Sequence, residues 1–343
     1  MQLRISTLPN QATQEGLFEW PPPKPTRNSV KTNFKFIDLF AGIGGMRLGF
    51  ESAGGECVFS SEWDKDSQKT YSANFGEKPQ GDITQIEARE IPNFDVLLAG
   101  FPCQPFSSIG KRAGFKHETQ GTLFYDVLRI IEDKRPISFL LENVVGLLNH
   151  DKGHTFHVII ESLKEIGYTI HYQVLDAANY SVPQHRKRIY IVGFDTNLSK
   201  KGFEYNWPQP HKKKIGIGKF VQQNIEDHSI SKHLQRSYLF KLEDGRPQII
   251  NSTSDIQVKT LVATYHKIQR LTGTFVSDGP TGVRLLTADE CKAIMGFPKN
   301  FIIPVSRTQM YRQMGNSVAV PVIKDIALEM STALFHSGLK RAI

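Results

Sequence analysis

The sequence predicts an α/β protein, a doubly wound and mostly parallel sheet interrupted by a small inserted domain. Three observations predict it. Short apolar runs alternate with helical apolar spacing from Phe34 to about Phe194. Special turns, one rich in glycine and one in proline, follow two of the apolar runs. The alternation then lapses between about residues 199 and 282 and returns with two further helices. Strands separated by helices imply a parallel sheet with helices on both faces.

The elements follow in order. "FKFIDLF" (34–40), "ECVFSSEW" (56–63), "FDVLLAG" (94–100), "ISFLLENV" (137–144) and "RIYIVGF" (188–194) have the length and composition of buried strands. Between them, "GMRLGFESAG" (45–54), "TLFYDVLRIIEDKR" (122–135) and "TFHVIIESLKEIG" (155–167) repeat apolar residues at i, i+3 and i+4, the spacing of one helix face. In the irregular stretch, "PQIIN" (247–251) and "KTLVATY" (259–265) read as short strands. "RLLTADECKAIMGF" (284–297) is an amphipathic helix capped by Thr287, and "AVPVIKDIALEMSTALF" (319–335) is a final long helix. The expected organisation is an N-terminal arm (1–33), a main domain made of residues 34–198 and 283–343, and an inserted domain at 199–282.

Composition narrows the class. The chain has 343 residues, of which 39% are hydrophobic and 22% charged, ordinary values for a soluble protein. No run approaches the roughly 20 apolar residues that span a bilayer, so no membrane partner is expected. The first 33 residues are polar and proline-rich, without the apolar core of a signal peptide, and read as a loosely ordered arm. Three widely spaced cysteines (Cys57, Cys103, Cys291) make neither a disulfide framework nor a metal site, which suits a reducing cytoplasm. The net charge of +8 suggests a polyanionic partner. Residues 199–246 hold ten Lys or Arg against five acids.

Cys103 stands apart. In "GFPCQPFSSIG" (100–110) it lies between two prolines, just after a strand. Proline ends regular structure there, so the thiol is presented on a stiff loop at the strand's C-terminal end. In an open parallel sheet that edge binds ligands. "FIDLFAGIGGMRLGF" (36–50) is a strand, a glycine turn and a helix, and Gly42, Gly44 and Gly45 allow close approach of a ligand. The turn is compatible with a dinucleotide, a nucleoside or no ligand. Glu62, about twenty residues beyond Gly42, stands where an acid commonly binds ribose, and Trp63 beside it offers a stacking surface. Glu142 in "LLENVVGL" (141–148) ends an apolar strand and is either solvent-facing or functional. In "PQHRKRIYIVGF" (183–194), Gln184, Arg186 and Arg188 alternate and so share a face of an extended chain. Two arginines there suit a phosphate or a base edge, or form a solvated cluster.

Taken together, "DLFAGIGG", "GFPCQPFS", "ENV", "QHRKR", "RLLTADECKAIMGFP" and "GNSVAVP" resemble, in this order, the motifs of DNA (cytosine-5)-methyltransferases of the bacterial restriction–modification type. The resemblance covers about residues 34–195 and 284–330. It implies a Rossmann-like, class I S-adenosylmethionine-dependent methyltransferase fold, with residues 199–282 as the target-recognition region. It implies S-adenosyl-L-methionine as methyl donor, double-stranded DNA as substrate, no metal, a monomer, and functional pairing with a restriction endonuclease. By the same resemblance Cys103 is the nucleophile that adds to cytosine C6, and Glu142 serves N3. Arg188 contacts O2, and Arg186 a phosphate or the cysteine loop. Phe40, Gly42, Gly44, Glu62, Trp63, Asp82, Ile83, Leu123, Asn316 and Ser317 are carried onto the cofactor site. Gln184, Thr260 and Leu261 are carried onto DNA contacts. Cysteine suits this chemistry because a thiolate adding at C6 makes C5 enamine-like and can leave again by β-elimination. The tRNA cytosine is the alternative substrate, and a nicotinamide oxidoreductase would explain the glycine turn but not Pro-Cys-Gln.

Overall fold

All five strands expected in the main domain form, and a sixth joins them. The computed structural model describes residues 34–102, 123–198 and 203–336. The expected N-terminal arm and the loop bearing Cys103 lie outside the described residues. Strands β1 (Phe34–Leu39), β2 (Gly55–Ser61), β3 (Val96–Ala99), β4 (Ser138–Val144), β5 (Tyr168–Asp176) and β6 (Lys187–Asp195) form one sheet, ordered β2-β1-β3-β4-β6-β5. The first four run parallel. β6 is antiparallel to both of its neighbours.

Alternation along the strands sends side chains to two opposite layers. Phe36, Val96, Leu98, Leu140 and Val192 point to one face, where helices α1 (Gly45–Ser52) and α8 (Val320–His336) cover them with Phe50, Val322, Ile326 and Met330. Ile37, Leu97, Phe139, Leu141 and Ile191 point to the other, beneath α3 (Leu123–Lys134) and α4 (His154–Glu165). α1 packs directly on α8, and a Cβ at Gly49 would overlap the Ile323 side chain. The last helix therefore closes the first βαβ unit.

Three elements had no apolar signature. β5 is the sheet's edge, with Tyr172, Gln173 and Val174 exposed, so its sequence lacks a buried-strand run. Helix α2 (Lys65–Phe75) buries Ser67, Gln68 and Thr70 beside Tyr71 and Phe75, a polar face that hides the helical period. Helix α7 (Arg307–Asn316) buries Gln313 and Gly315 between its methionines. Asp64 caps α2 and Ser306 caps α7, each accepting from a main-chain N–H group of the first turn.

Residues 203–287 are mostly irregular. They contain a short α5 (Lys232–Leu234) and a two-stranded parallel sheet of β7 (Gln248–Ile250) and β8 (Thr274–Val276). The expected strand at 259–265 does not form. Gln184 binds the Leu261 N–H with its side chain, and residues 265–267 turn into a 3₁₀ helix. Ile217, Leu239, Ile250, Leu261 and Phe275 share one core with α1, α2, α6 (Ala288–Met295) and α7. Thr287 caps α6 as expected, in a capping box with Glu290. Arg284, fully buried, joins Glu290 and Asp278 in ion pairs at 2.9 and 2.8 Å. No helix among the described residues is long and apolar enough to cross a membrane.

Candidate active site

The C-terminal ends of β1, β2, β3 and β4 open onto a cavity of about 630 Å³. That volume suits a nucleoside-sized ligand. Its walls come from both ends of the chain: the glycine turn and Glu62 on one side, Gly315, Asn316 and Ser317 on the other.

The glycine turn is held open by its neighbours. Phe40 adopts φ 55° and Gly42 φ 56°. A left-handed aromatic residue is uncommon, and such strain collects at functional sites. The Glu62 carboxylate accepts from the Gly42 N–H at 2.8 Å and from the Asp64 N–H at 2.7 Å. Burial raises its pKa, while these N–H groups pull it down. Trp63 is 75% exposed at the cavity rim, a free aromatic plane. Asp82, whose side chain caps the Ile83–Gln85 turn, lines the wall together with Ile83 and Leu123. Gly44 does not line the cavity. It is the N-cap of α1 at φ 86°, and a Cβ there would overlap the Phe75 ring, so conformation and packing both require glycine.

Asp38 escaped the sequence reading. It ends β1 inside the cavity wall, 1% exposed, and its Oδ2 has no hydrogen-bond partner. Burial pushes its pKa up to about 7, against the opposing pull of Arg47. The available signal was a lone acid in an otherwise apolar strand.

A second group of charges meets at the end of β4. The antiparallel register places Glu142 opposite Tyr190 and Val144 opposite Arg188. The Arg188 Nε lies 3.1 Å from Glu142 Oε1, and both residues line the cavity. Burial raises the Glu142 pKa, and Arg188 and Arg186 only partly oppose it. Asn143 donates from Nδ2 to the Phe101 carbonyl at 2.9 Å, fixing the chain two residues before Cys103. Pro102 lines the same cavity, so the chain enters the cysteine loop from it. Cys103 itself lies outside the described residues. Of the other cysteines, burial pushes Cys57 up to about 12 and Cys291 well above the ordinary thiol range, so neither suits a nucleophile.

The three residues expected at DNA contacts also bond within the protein. Gln184 is fully buried; its amide donates to the Ile294 carbonyl and accepts from the Leu261 N–H. Leu261 is 3% exposed; its side chain packs in the core, and its carbonyl accepts from Arg186. Thr260 donates its hydroxyl to the His185 carbonyl at 2.6 Å. Arg186 was expected at a phosphate or the cysteine loop. In the structure its guanidinium, 2% exposed, donates to three main-chain carbonyls, and the cysteine loop lies outside the described residues.

Comparison with known proteins agrees with this arrangement. Type II methyltransferase M.MspI of Moraxella sp. is 57% identical over 308 residues, spanning 90% of this chain and 73% of that protein. Type II methyltransferase M.BsuFI of Bacillus subtilis is 57% identical over 326 residues, spanning 92% and 79%. Among solved structures, a Spodoptera frugiperda DNMT2 variant matches with a TM-score of 0.71 at 24% identity, over 88% of this chain and 99% of that one, a likeness of fold. The description "C-5 cytosine-specific DNA methylase" matches residues 34–332, nearly all of the described structure. The chain belongs to the family of C-5 cytosine-specific DNA methylases.

Proposed function

We propose that this protein transfers a methyl group from S-adenosylmethionine to C5 of a cytosine flipped out of duplex DNA at a specific sequence, through a covalent Cys103–C6 adduct. It acts as a monomer and protects host DNA from a cognate restriction endonuclease. The observation that carries this reading is one cavity lined by both the nucleoside-type wall and the Glu142–Arg188 pair, with the Cys103 loop starting at its edge.

The residues present fit the cofactor. When bound, it supplies an electrophilic methyl group on a sulfonium. Asp38 Oδ2, buried and unpartnered, suits the ammonium of its amino-acid end. Glu62 keeps lone pairs free for ribose hydroxyls, and the exposed Trp63 plane suits adenine. Asn316 and Ser317 close the opposite wall.

On the base, the Cys103 thiolate forms the Sγ–C6 bond while Glu142 delivers a proton to N3. Its raised pKa favours the protonated form needed for that step. Arg188 donates to O2 and steadies the developing charge. C5, now enamine-like, takes the methyl group. A water molecule takes the C5 proton, the C6–Sγ bond breaks to release the thiolate, and the N3 proton returns to Glu142. A base inside a duplex cannot reach such a cavity, which is why it must be flipped. Residues 199–282 read the flanking bases, their cations holding phosphates and other side chains meeting base edges.

The test is expression in a methylation-free host followed by bisulfite sequencing of the plasmid. Protection of cytosines within one short sequence is expected. Unprotected plasmid together with methylated tRNA would transfer the reading to RNA.

A further inference from the structure

The segment that leads into β6 is stitched to the segment 258–261. Val258 N–H donates to the Pro183 carbonyl at 2.8 Å, and His185 N–H returns to the Val258 carbonyl at 2.9 Å. The Gln184 side chain takes the Leu261 N–H at 2.6 Å. One group then reaches beyond this seam. Arg186 Nη1 donates to the Leu261 carbonyl at 3.0 Å, while Nη2 donates to the Gly315 carbonyl at 2.9 Å and the Ser317 carbonyl at 2.5 Å. Those last two carbonyls flank Asn316 in the cavity wall. Gly315 also packs on the 262–263 backbone so closely that a Cβ would overlap the Ala263 nitrogen.

We propose that Arg186 is a positioning residue that ties the 258–263 segment of the recognition region to the 315–317 wall of the cofactor site, so that occupancy of one site sets the geometry of the other. The proposal rests on the methyltransferase reading above. A planar guanidinium can bond carbonyls on two sides at once, and a lysine ammonium reaches fewer of them in fixed directions. Burial and Arg188 push the Arg186 pKa down to about 10, which leaves it cationic at neutral pH, with Glu142 in the same cavity as countercharge. All three acceptors are neutral carbonyls, and they hold Nη1 and Nη2 while Nε has no partner among the described residues. A seam through backbone atoms also explains why Leu261 can be buried and still matter: its carbonyl and N–H, not its side chain, make the link.

The experiment uses the full chain with S-adenosylhomocysteine and an unmethylated plasmid fragment as probes. For the wild type, the ratio of DNA dissociation constants without and with S-adenosylhomocysteine should be about tenfold or more, a usual size for coupling between two sites. In Arg186→Met the ratio should fall towards one, whichever way S-adenosylhomocysteine binding alone changes. Arg186→Lys should recover part of the coupling. Gly315→Ala, which leaves Arg186 intact but pushes the two segments apart, should lose it as Arg186→Met does. Full coupling in Arg186→Met, an uncoupled wild type, or loss of cooperative unfolding in both Arg186 variants would overturn the proposal. Failure of the wild type to methylate the plasmid in the presence of S-adenosylmethionine would instead overturn the reading beneath it.

Discussion

Replacing Asp38 with asparagine tests the buried carboxyl whose Oδ2 has no partner among the described residues. Burial raises its pKa from 3.8 to about 7 in the folded protein. The folded state therefore binds this proton more tightly than the unfolded chain. Stability from that proton is fully present below the unfolded pKa near 3.8 and is lost as pH rises through about 7. A shift of roughly three units corresponds to about 4 kcal/mol, an upper value for a single buried group. The asparagine side chain keeps the shape but cannot titrate. Urea unfolding of the cofactor-free protein at pH 5 and pH 8 should show wild type losing about 2–4 kcal/mol more than Asp38→Asn across that interval. Cofactor binding should move the other way. An ammonium partner favours the ionised carboxylate, so S-adenosylhomocysteine affinity in wild type should rise from pH 5.5 to 7.5. In Asp38→Asn it should be about 10- to 100-fold weaker at pH 7.5 and nearly flat, as expected for a lost charge-assisted hydrogen bond. Calorimetric titration in two buffers of different ionisation enthalpy would register proton release with wild type alone. Equal pH slopes of stability in the two proteins, or unchanged affinity in the variant, would refute the reasoning.

Other outcomes follow from the same geometry. Glu142→Gln should slow methyl transfer by about 10²-fold or more, the scale of a positioned acid. The rate of the wild type should fall as pH rises past the raised Glu142 pKa, because the N3 proton is then missing, and the variant's single-turnover rate should lose that limb. Duplex DNA carrying 5-fluorocytosine at the target should trap the enzyme as a denaturant-resistant adduct only with S-adenosylmethionine, since fluorine cannot leave as a cation. The band should be absent with Cys103→Ala, which should still bind S-adenosylhomocysteine; its presence would put the covalent link on another residue. Arg284→Ala leaves Glu290 buried without its partner and should cost about 3–5 kcal/mol in urea unfolding.

Strands β1, β3 and β4 were legible because they are buried on both faces, which demands apolar runs such as Val96–Ala99. The glycine turn, Glu62 and the Glu142–Arg188 pair were legible from residue type and position relative to those runs. β5, α2 and α7 were not, since an edge strand and two helices with polar buried faces lack the periodicity that burial normally imposes. The contacts of Gln184 and Arg186 were illegible for a different reason. Alternation in an extended segment correctly put their side chains on one face, but it says nothing of what that face meets. It meets backbone 75 to 131 residues further along the chain, and backbone atoms leave no mark in a sequence.

The packing of α8 against α1 has a consequence for biosynthesis. The first strand and its glycine turn emerge from the ribosome early, yet the opposite wall at 315–317 and the helix that buries Phe36 and Phe50 come last. An unfinished chain holds half a cavity and an uncovered sheet face. Binding of the methyl donor should therefore begin only when translation has passed the 315–317 wall and most of α8, and fragments released early should leave the genome unmodified. The same ordering makes the nascent protein dependent on rapid completion, because the apolar face of β1 and β3 stays exposed until its lid arrives.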